Sequence, residues 1–186
     1  RPLYIMSSAT ILNASELAKT LTGLNFAVVD ENGAPSREKH FLFINPELSP
    51  STVASRLFVR AIRAGLKTIA FTKARVITEL IHTWVVDLAP ELKQKVSSYR
   101  AGFLPEERRE IEGKLFRGEL LGVISTSALE MGVDIGGLDL CLLVGYPGTV
   151  VNTWQRGGRV GRQDRDSLIV LIAGRDALDQ YFMRNP

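Results

Sequence analysis

The densest stretch of reactive side chains is Gln155-Arg156-Gly157-Gly158-Arg159-Val160-Gly161-Arg162. Three glycines and three arginines in eight residues weaken a helix and make a poor core. Glycine lets a backbone come close to a ligand or another chain. Arg159 and Arg162 are three apart, so on a helix they point the same way. Two guanidinium groups on one face form a fork for phosphate oxygens. A solvated basic helix end is the competing reading. A dinucleotide-binding glycine loop is excluded, because the G-x-G-x-x-G spacing is missing.

A second cluster runs Thr126-Ser127-Ala128-Leu129-Glu130-Met131-Gly132-Val133-Asp134-Ile135-Gly136. It follows the strand-like Leu121–Ser125, so its hydroxyls fall at the carboxyl end of a strand, the ligand edge of a parallel sheet. Thr126 is suited to a backbone phosphate and Asp134 to a ribose hydroxyl. A helix cap at Thr126 and a turn at Asp134 are the plainer alternatives.

Both clusters need a scaffold, and the rest of the 186 residues describe one. Apolar residues make up 45% and charged residues 23%, the balance of a soluble globular domain with a real core. A formal charge of +3 excludes a polybasic tail but leaves room for a local basic patch. Cys141 is the single cysteine, so an intrachain disulfide and a cysteine zinc cluster are excluded; it fits a reducing, cytoplasmic setting. No apolar run has the length of a membrane helix. The sequence opens inside the strand-like Leu3–Ser7 and closes after a helix-like stretch, as a piece of a longer protein would. A helix is expected over Ala14–Leu21, capped by Asn13. A β-hairpin is expected from Asn25–Asp30 and Lys39–Ile44 around Asn32-Gly33. The break at Asn45–Pro50 places the start of the main domain at residue 49. Beyond it strands (Lys67–Phe71, Val96–Tyr99, Leu121–Ser125, Leu138–Val144, Leu168–Ala173) alternate with helices (Ser51–Ala64, Lys73–Leu88, Pro105–Arg117, Val151–Val160, Ala177–Met183). The fold class is α/β, a parallel sheet with helices on both faces.

Five segments together resemble superfamily 2 helicases. Thr126-x-Ala128-Leu129-Glu130-x-Gly132-x-Asp134 is similar to motif V, and Gln155-x-x-Gly158-Arg159-x-Gly161-Arg162 to motif VI. Ser8-Ala9-Thr10 looks like motif III, which ends the first RecA-like domain of such enzymes. Phe71-Thr72-Lys73-x-Arg75 looks like motif IV and Tyr99-Arg100-Ala101-Gly102 like the segment after it. Gly145-Tyr146-Pro147-Gly148-Thr149 leading into Thr153-Trp154-Gln155 resembles the Hrq-type and mitomycin-repair-factor-A subgroup of DNA-repair helicases. So does Asp30-Glu31-Asn32-Gly33 running on to His40-Phe41 and Asn45-Pro46.

The resemblance implies a RecA-like second motor domain at 49–186, preceded at 1–48 by the end of the first domain and a hairpin connector. It implies arginine fingers at Arg159 and Arg162 and a γ-phosphate sensor at Gln155. Gly132, Asp134, Gly158 and Gly161 would line the nucleotide cleft. Thr72, Lys73, Arg100, Gly102 and Thr126 would hold phosphates of a single strand, DNA rather than RNA. Ser8, Ala9 and Thr10 would couple the domains. ATP and Mg²⁺ would be held mainly by the first domain, the implied partner. That domain's phosphate loop is missing: Gly113-Lys114 is followed by Leu115, and Gly65 by Leu66 before Lys67-Thr68. Asp30-Glu31 is not its acidic box, which would precede Ser8-Ala9-Thr10. The chain alone is therefore expected not to hydrolyse ATP. An RNA helicase, a double-stranded DNA translocase and a non-catalytic binding module are the alternatives. His40 and His82 stand apart, so no metal site is expected. Trp154 is expected to pack its helix onto the sheet, with base or adenine stacking as the other use.

Overall fold

A computed structural model describes residues 2–8, 11, 13–31, 33, 37–130, 135, 137–161 and 165–186. The chain divides into two compact units, Arg1–Pro35 and Ser36–Pro186. The first holds helix α1 (Ala14–Thr22), closed by Gly23 in the left-handed conformation with its N–H on the Lys19 carbonyl. Asn13 stands at its N-cap without a capping hydrogen bond from its side chain. Leu3–Ser7 forms no strand, since no described segment pairs with its backbone.

In the second unit six strands form one sheet among the described residues. They are β1 (Lys39–Ile44), β2 (Thr68–Phe71), β3 (Val96–Tyr99), β4 (Gly122–Ser125), β5 (Leu140–Val144) and β6 (Ser167–Ile172), in the order β1-β6-β5-β2-β4-β3. Every pairing is parallel. Helices α2 (Pro50–Arg63), α3 (Arg75–Leu88), α4 (Pro105–Phe116), α5 (Val150–Gly157) and α6 (Ala177–Arg184) lie between or after the strands. The central strands β2, β4 and β5 are buried at every residue, which is why their sequence reads as continuous apolar runs. Successive residues feed opposite cores. Ala70, Ile124 and Leu142 pack with Phe58 and Ile62 of α2 and Ile81 and Val85 of α3. Ile69, Phe71, Val123 and Leu143 pack on the other face with Leu115 of α4, Leu129 and Val160. The α/β sheet with helices on both faces is thus the observed architecture.

Two expectations change. Lys39–Ile44 is a strand, but it pairs in parallel with β6, from Lys39 opposite Ser167 to Ile44 opposite Ile172. Asn25–Asp30 forms no strand, so there is no hairpin. Residues 31–38 are far longer than the two-residue loop that fixes hairpin register, and β6 offers Lys39–Ile44 an apolar edge instead. α5 also stops at Gly157, three residues short of the expected end, where Gly157-Gly158 interrupts it.

Candidate functional site

Because every strand is parallel, every β-to-α connection leaves from one edge of the sheet. Thr72-Lys73 follow β2, Thr126-Ser127 follow β4, and Tyr146-Pro147-Gly148 follow β5. With Arg156 of α5 and Leu178 of α6 these residues line a cavity of about 360 Å³. Local capping sets the walls. Thr149 accepts a hydrogen bond from the Asn152 amide at 3.0 Å and starts α5; Asp176 accepts from the Asp179 amide at 3.0 Å and starts α6.

The expected phosphate contacts differ in readiness. Thr126 is half-buried on the cavity wall, and its hydroxyl makes no hydrogen bond among the described residues; the helix-cap alternative is absent, as its side chain caps nothing. Thr72 is buried, with its hydroxyl 2.7 Å from that of Thr78 and 3.1 Å from the Ala74 carbonyl it donates to. Lys73 is paired: its ammonium sits 2.9 Å from Asp176 and 3.1 Å from Asp179. Burial pulls that ammonium down, but the two carboxylates outweigh burial and hold its pKa above the ordinary lysine value. Arg100 leaves the end of β3, two strands from β2, with Nε 3.4 Å from Glu79 and its guanidinium 4.9 Å above the Phe103 ring. Gly102 lies in the turn between them.

The arginine segment is built around Glu130. The Glu130 carboxylate accepts from Arg156 Nε at 2.9 Å, and its carbonyl accepts from Arg159 Nε at 3.0 Å and Nη2 at 2.6 Å. Arg156 lies 5.4 Å from the Phe71 ring centre. All three residues are buried. Gln155 occupies the last turn of α5 and Gly158 caps it. Gly157 lets α5 pack close to β6: a Cβ there would lie 2.7 Å from Ile169 Cδ1, the end of a buried side chain that would have to shift. Gly161 turns the chain at φ +76°, after Val160 bridges to Leu138. Arg159 therefore follows the helix instead of lying on it. Arg162, Gly132, Asp134, Ala9 and Thr10 lie outside the described residues. Ser8 belongs to the first unit.

Sequence reasoning missed Glu130 and Arg156. An acid in the apolar run Ala128–Ile135 and an arginine three before Arg159 were the available signals. Trp154 is 52% exposed and meets Phe41 of β1 edge-on at 6.2 Å, so it packs at the rim rather than beneath the helix. Cys141 is buried, as its apolar strand implied, and burial pushes its thiol far up. Among the described residues no cluster of His, Cys, Asp or Glu could hold a metal, and no helix is long and apolar enough to cross a membrane.

The family profile of the helicase conserved C-terminal domain matches residues 53–164, which contain the cavity residues from Thr72 to Arg156 and all of the arginine segment. The chain belongs to the helicase C-terminal domain family. This helicase C-terminal domain is 43% identical to the uncharacterized ATP-dependent helicase YprA of Bacillus subtilis, covering 100% of the chain and 26% of YprA. It is 35% identical to the ATP-dependent helicase HRQ1 of Saccharomyces cerevisiae, covering 98% of the chain and 18% of HRQ1. The crystal structure of the DUF1998 helicase MrfA bound to DNA and AMPPNP superposes with a TM-score of 0.91 at 43% identity, over 96% of this chain and 26% of MrfA. The helicase C-terminal domain thus spans about a quarter or less of the length of these relatives.

Proposed function

We propose that this helicase C-terminal domain is the second motor domain of an ATP-dependent DNA helicase. The observation that carries the reading is Glu130, which holds the cavity residue Arg156 and the arginine-segment residue Arg159 at once. One residue thereby joins a polar cavity on the sheet's ligand edge to the segment that resembles an arginine-finger motif. The 43% identity to MrfA, a protein crystallised with DNA and AMPPNP, supports DNA and a nucleoside triphosphate as the two ligands.

In this reading Thr126 supplies a hydroxyl to a backbone phosphate, with Thr72, Lys73, Arg100 and Gly102 along the same strand path. Such contacts position the strand without reading its bases. The amide of Gln155 and the guanidinium of Arg159 are donors of the kind a triphosphate takes, and Arg162, Gly132, Asp134, Gly158 and Gly161 complete that wall. Arg159 and Arg162 stabilise negative charge on the phosphoryl group in flight. ATP, when bound, supplies the free energy of phosphoryl transfer to water. Mg²⁺ and the phosphate-binding loop belong to a first RecA-like domain, which Ser8, Ala9 and Thr10 would couple to this one.

The test is ATP hydrolysis by the full-length parent with single-stranded DNA and, separately, single-stranded RNA, beside strand displacement on a tailed duplex. Stimulation by DNA with strand displacement is expected. Stimulation by RNA alone would assign an RNA helicase, stimulation by duplex without displacement a translocase, and no hydrolysis at all a binding module.

A further inference from the structure

Lys73 faces the cavity, yet two carboxylates hold it. Asp176 Oδ2 lies 2.9 Å from Nζ and Asp179 Oδ1 lies 3.1 Å away. The three groups carry a net charge of −1, and Lys73 brings them beside a cavity whose polar lining includes Thr126, Ser127 and Arg156. The two acids are not equivalent. Asp179 is fully buried and also accepts from the backbone N–H groups of Tyr146 at 3.0 Å and Gly174 at 2.5 Å, so it fixes the ends of β5 and β6. Asp176 is 52% exposed, and its other contact is the α6 cap, which a neutral side chain could make equally well. Its negative charge therefore adds little to the fold, and it sits on the lysine that faces the cavity.

We propose that Asp176 sets the nucleic-acid affinity of this edge by holding Lys73 away from phosphate, so that the strand is gripped loosely enough to be released. The proposal rests on the reading that the cavity takes a phosphate backbone. A strand entering beside Thr126 must draw Lys73 off Asp176 or pass a cation whose charge is already cancelled. Either course lowers the gain from the contact by about the worth of one half-exposed ion pair.

The test uses the full-length parent without nucleotide and a fluorescently labelled oligothymidylate, with anisotropy followed over a range of salt. The variants are Asp176→Asn, Lys73→Met, their combination, and Thr126→Ala. Asparagine preserves the cap, and Asp176→Ser is a second neutral cap should the first variant melt early. Asp176→Asn is expected to bind about two- to five-fold tighter at low salt. Its log–log salt dependence should steepen by about 0.7, the increment for one more single-strand phosphate contact. The gain should shrink in the Lys73→Met background. Unchanged or weaker binding by Asp176→Asn, with Thr126→Ala weakened, would overturn the restraint while leaving the cavity reading intact. Binding unchanged in Thr126→Ala and Lys73→Met as well would overturn both.

Discussion

The carboxylate of Glu130 meets Nε of Arg156 at 2.9 Å, and the two side chains are only 10% and 8% exposed. A charge pair so enclosed holds its elements in register because neither member can be lost alone. Glu130→Ala leaves the Arg156 guanidinium buried without a counter-charge and should cost about 3–5 kcal/mol. Glu130→Gln keeps a hydrogen-bond acceptor and should cost less. Glu130→Leu combined with Arg156→Met removes both charges and should recover most of the loss. Chemical denaturation of the three variants beside the wild type decides it; an unmoved midpoint in Glu130→Ala would show that the pair does not hold the segment.

Gly157 makes a packing claim that a single methyl group can test. A Cβ there would lie 2.7 Å from Ile169 Cδ1, closer than packed carbons come. Gly157→Ala should destabilise the domain by about 1–3 kcal/mol, the usual cost of overpacking. Adding Ile169→Val should restore part of it. A more stable Gly157→Ala would mean that helix propensity outweighs the contact.

Tyr99 should titrate late. Burial and its 2.5 Å hydrogen bond to Glu112 push the phenol up to about 12, from an ordinary 10. The unfolded phenol ionises first, so this preference for the neutral form costs no stability below about pH 10 and erodes it between pH 10 and 12. Ultraviolet titration should show the Tyr99 phenol ionising near pH 12, a component lost in Tyr99→Phe, with buried Tyr146 also ionising later than an exposed tyrosine. Tyrosines that all ionise together near pH 10 would contradict the burial.

The Lys73 cluster should mark both ends of the pH profile. The Asp176 carboxyl is held below its ordinary 3.8, first by the Asp179 amide and then by Lys73. Its contribution is present above about pH 4 and is lost as pH falls through the lowered value. Lys73 is held above its ordinary 10.5, so its contribution is complete below that pH and is lost as pH rises through the raised value. With both residues about half exposed, the effect should be small. Asp176→Asn should flatten the acid limb of melting temperature against pH, and an unaltered limb would remove Asp176 from it.

The motifs were legible where residue type alone decides the matter. Buried strands show as apolar runs, and Gln155 through Arg162 shows as a glycine-spaced basic segment. What the sequence hid was pairing. Lys39–Ile44 reads as one arm of a hairpin because Asn32-Gly33 lies close by, yet its partner is β6, more than a hundred residues on. Lys73 stands as a phosphate contact through its resemblance to motif IV, and the acids that pair with it, at the N-cap of α6 and within it, lie more than a hundred residues on. Glu130 reads as one acid among apolar residues, and its two arginines emerge only when the connection after β4 meets α5. Each of these depends on contacts distant in sequence, which local spacing does not encode.

The most direct measurement is DNA-stimulated ATP hydrolysis by the full-length parent, wild type beside Arg159→Ala, with DNA affinity recorded on the same preparations. If Arg159 is a finger, the stimulated rate should fall by about 10³-fold or more while DNA binding is retained. A stimulated rate that survives the substitution would contradict the assignment of this domain as the catalytic second half of the motor.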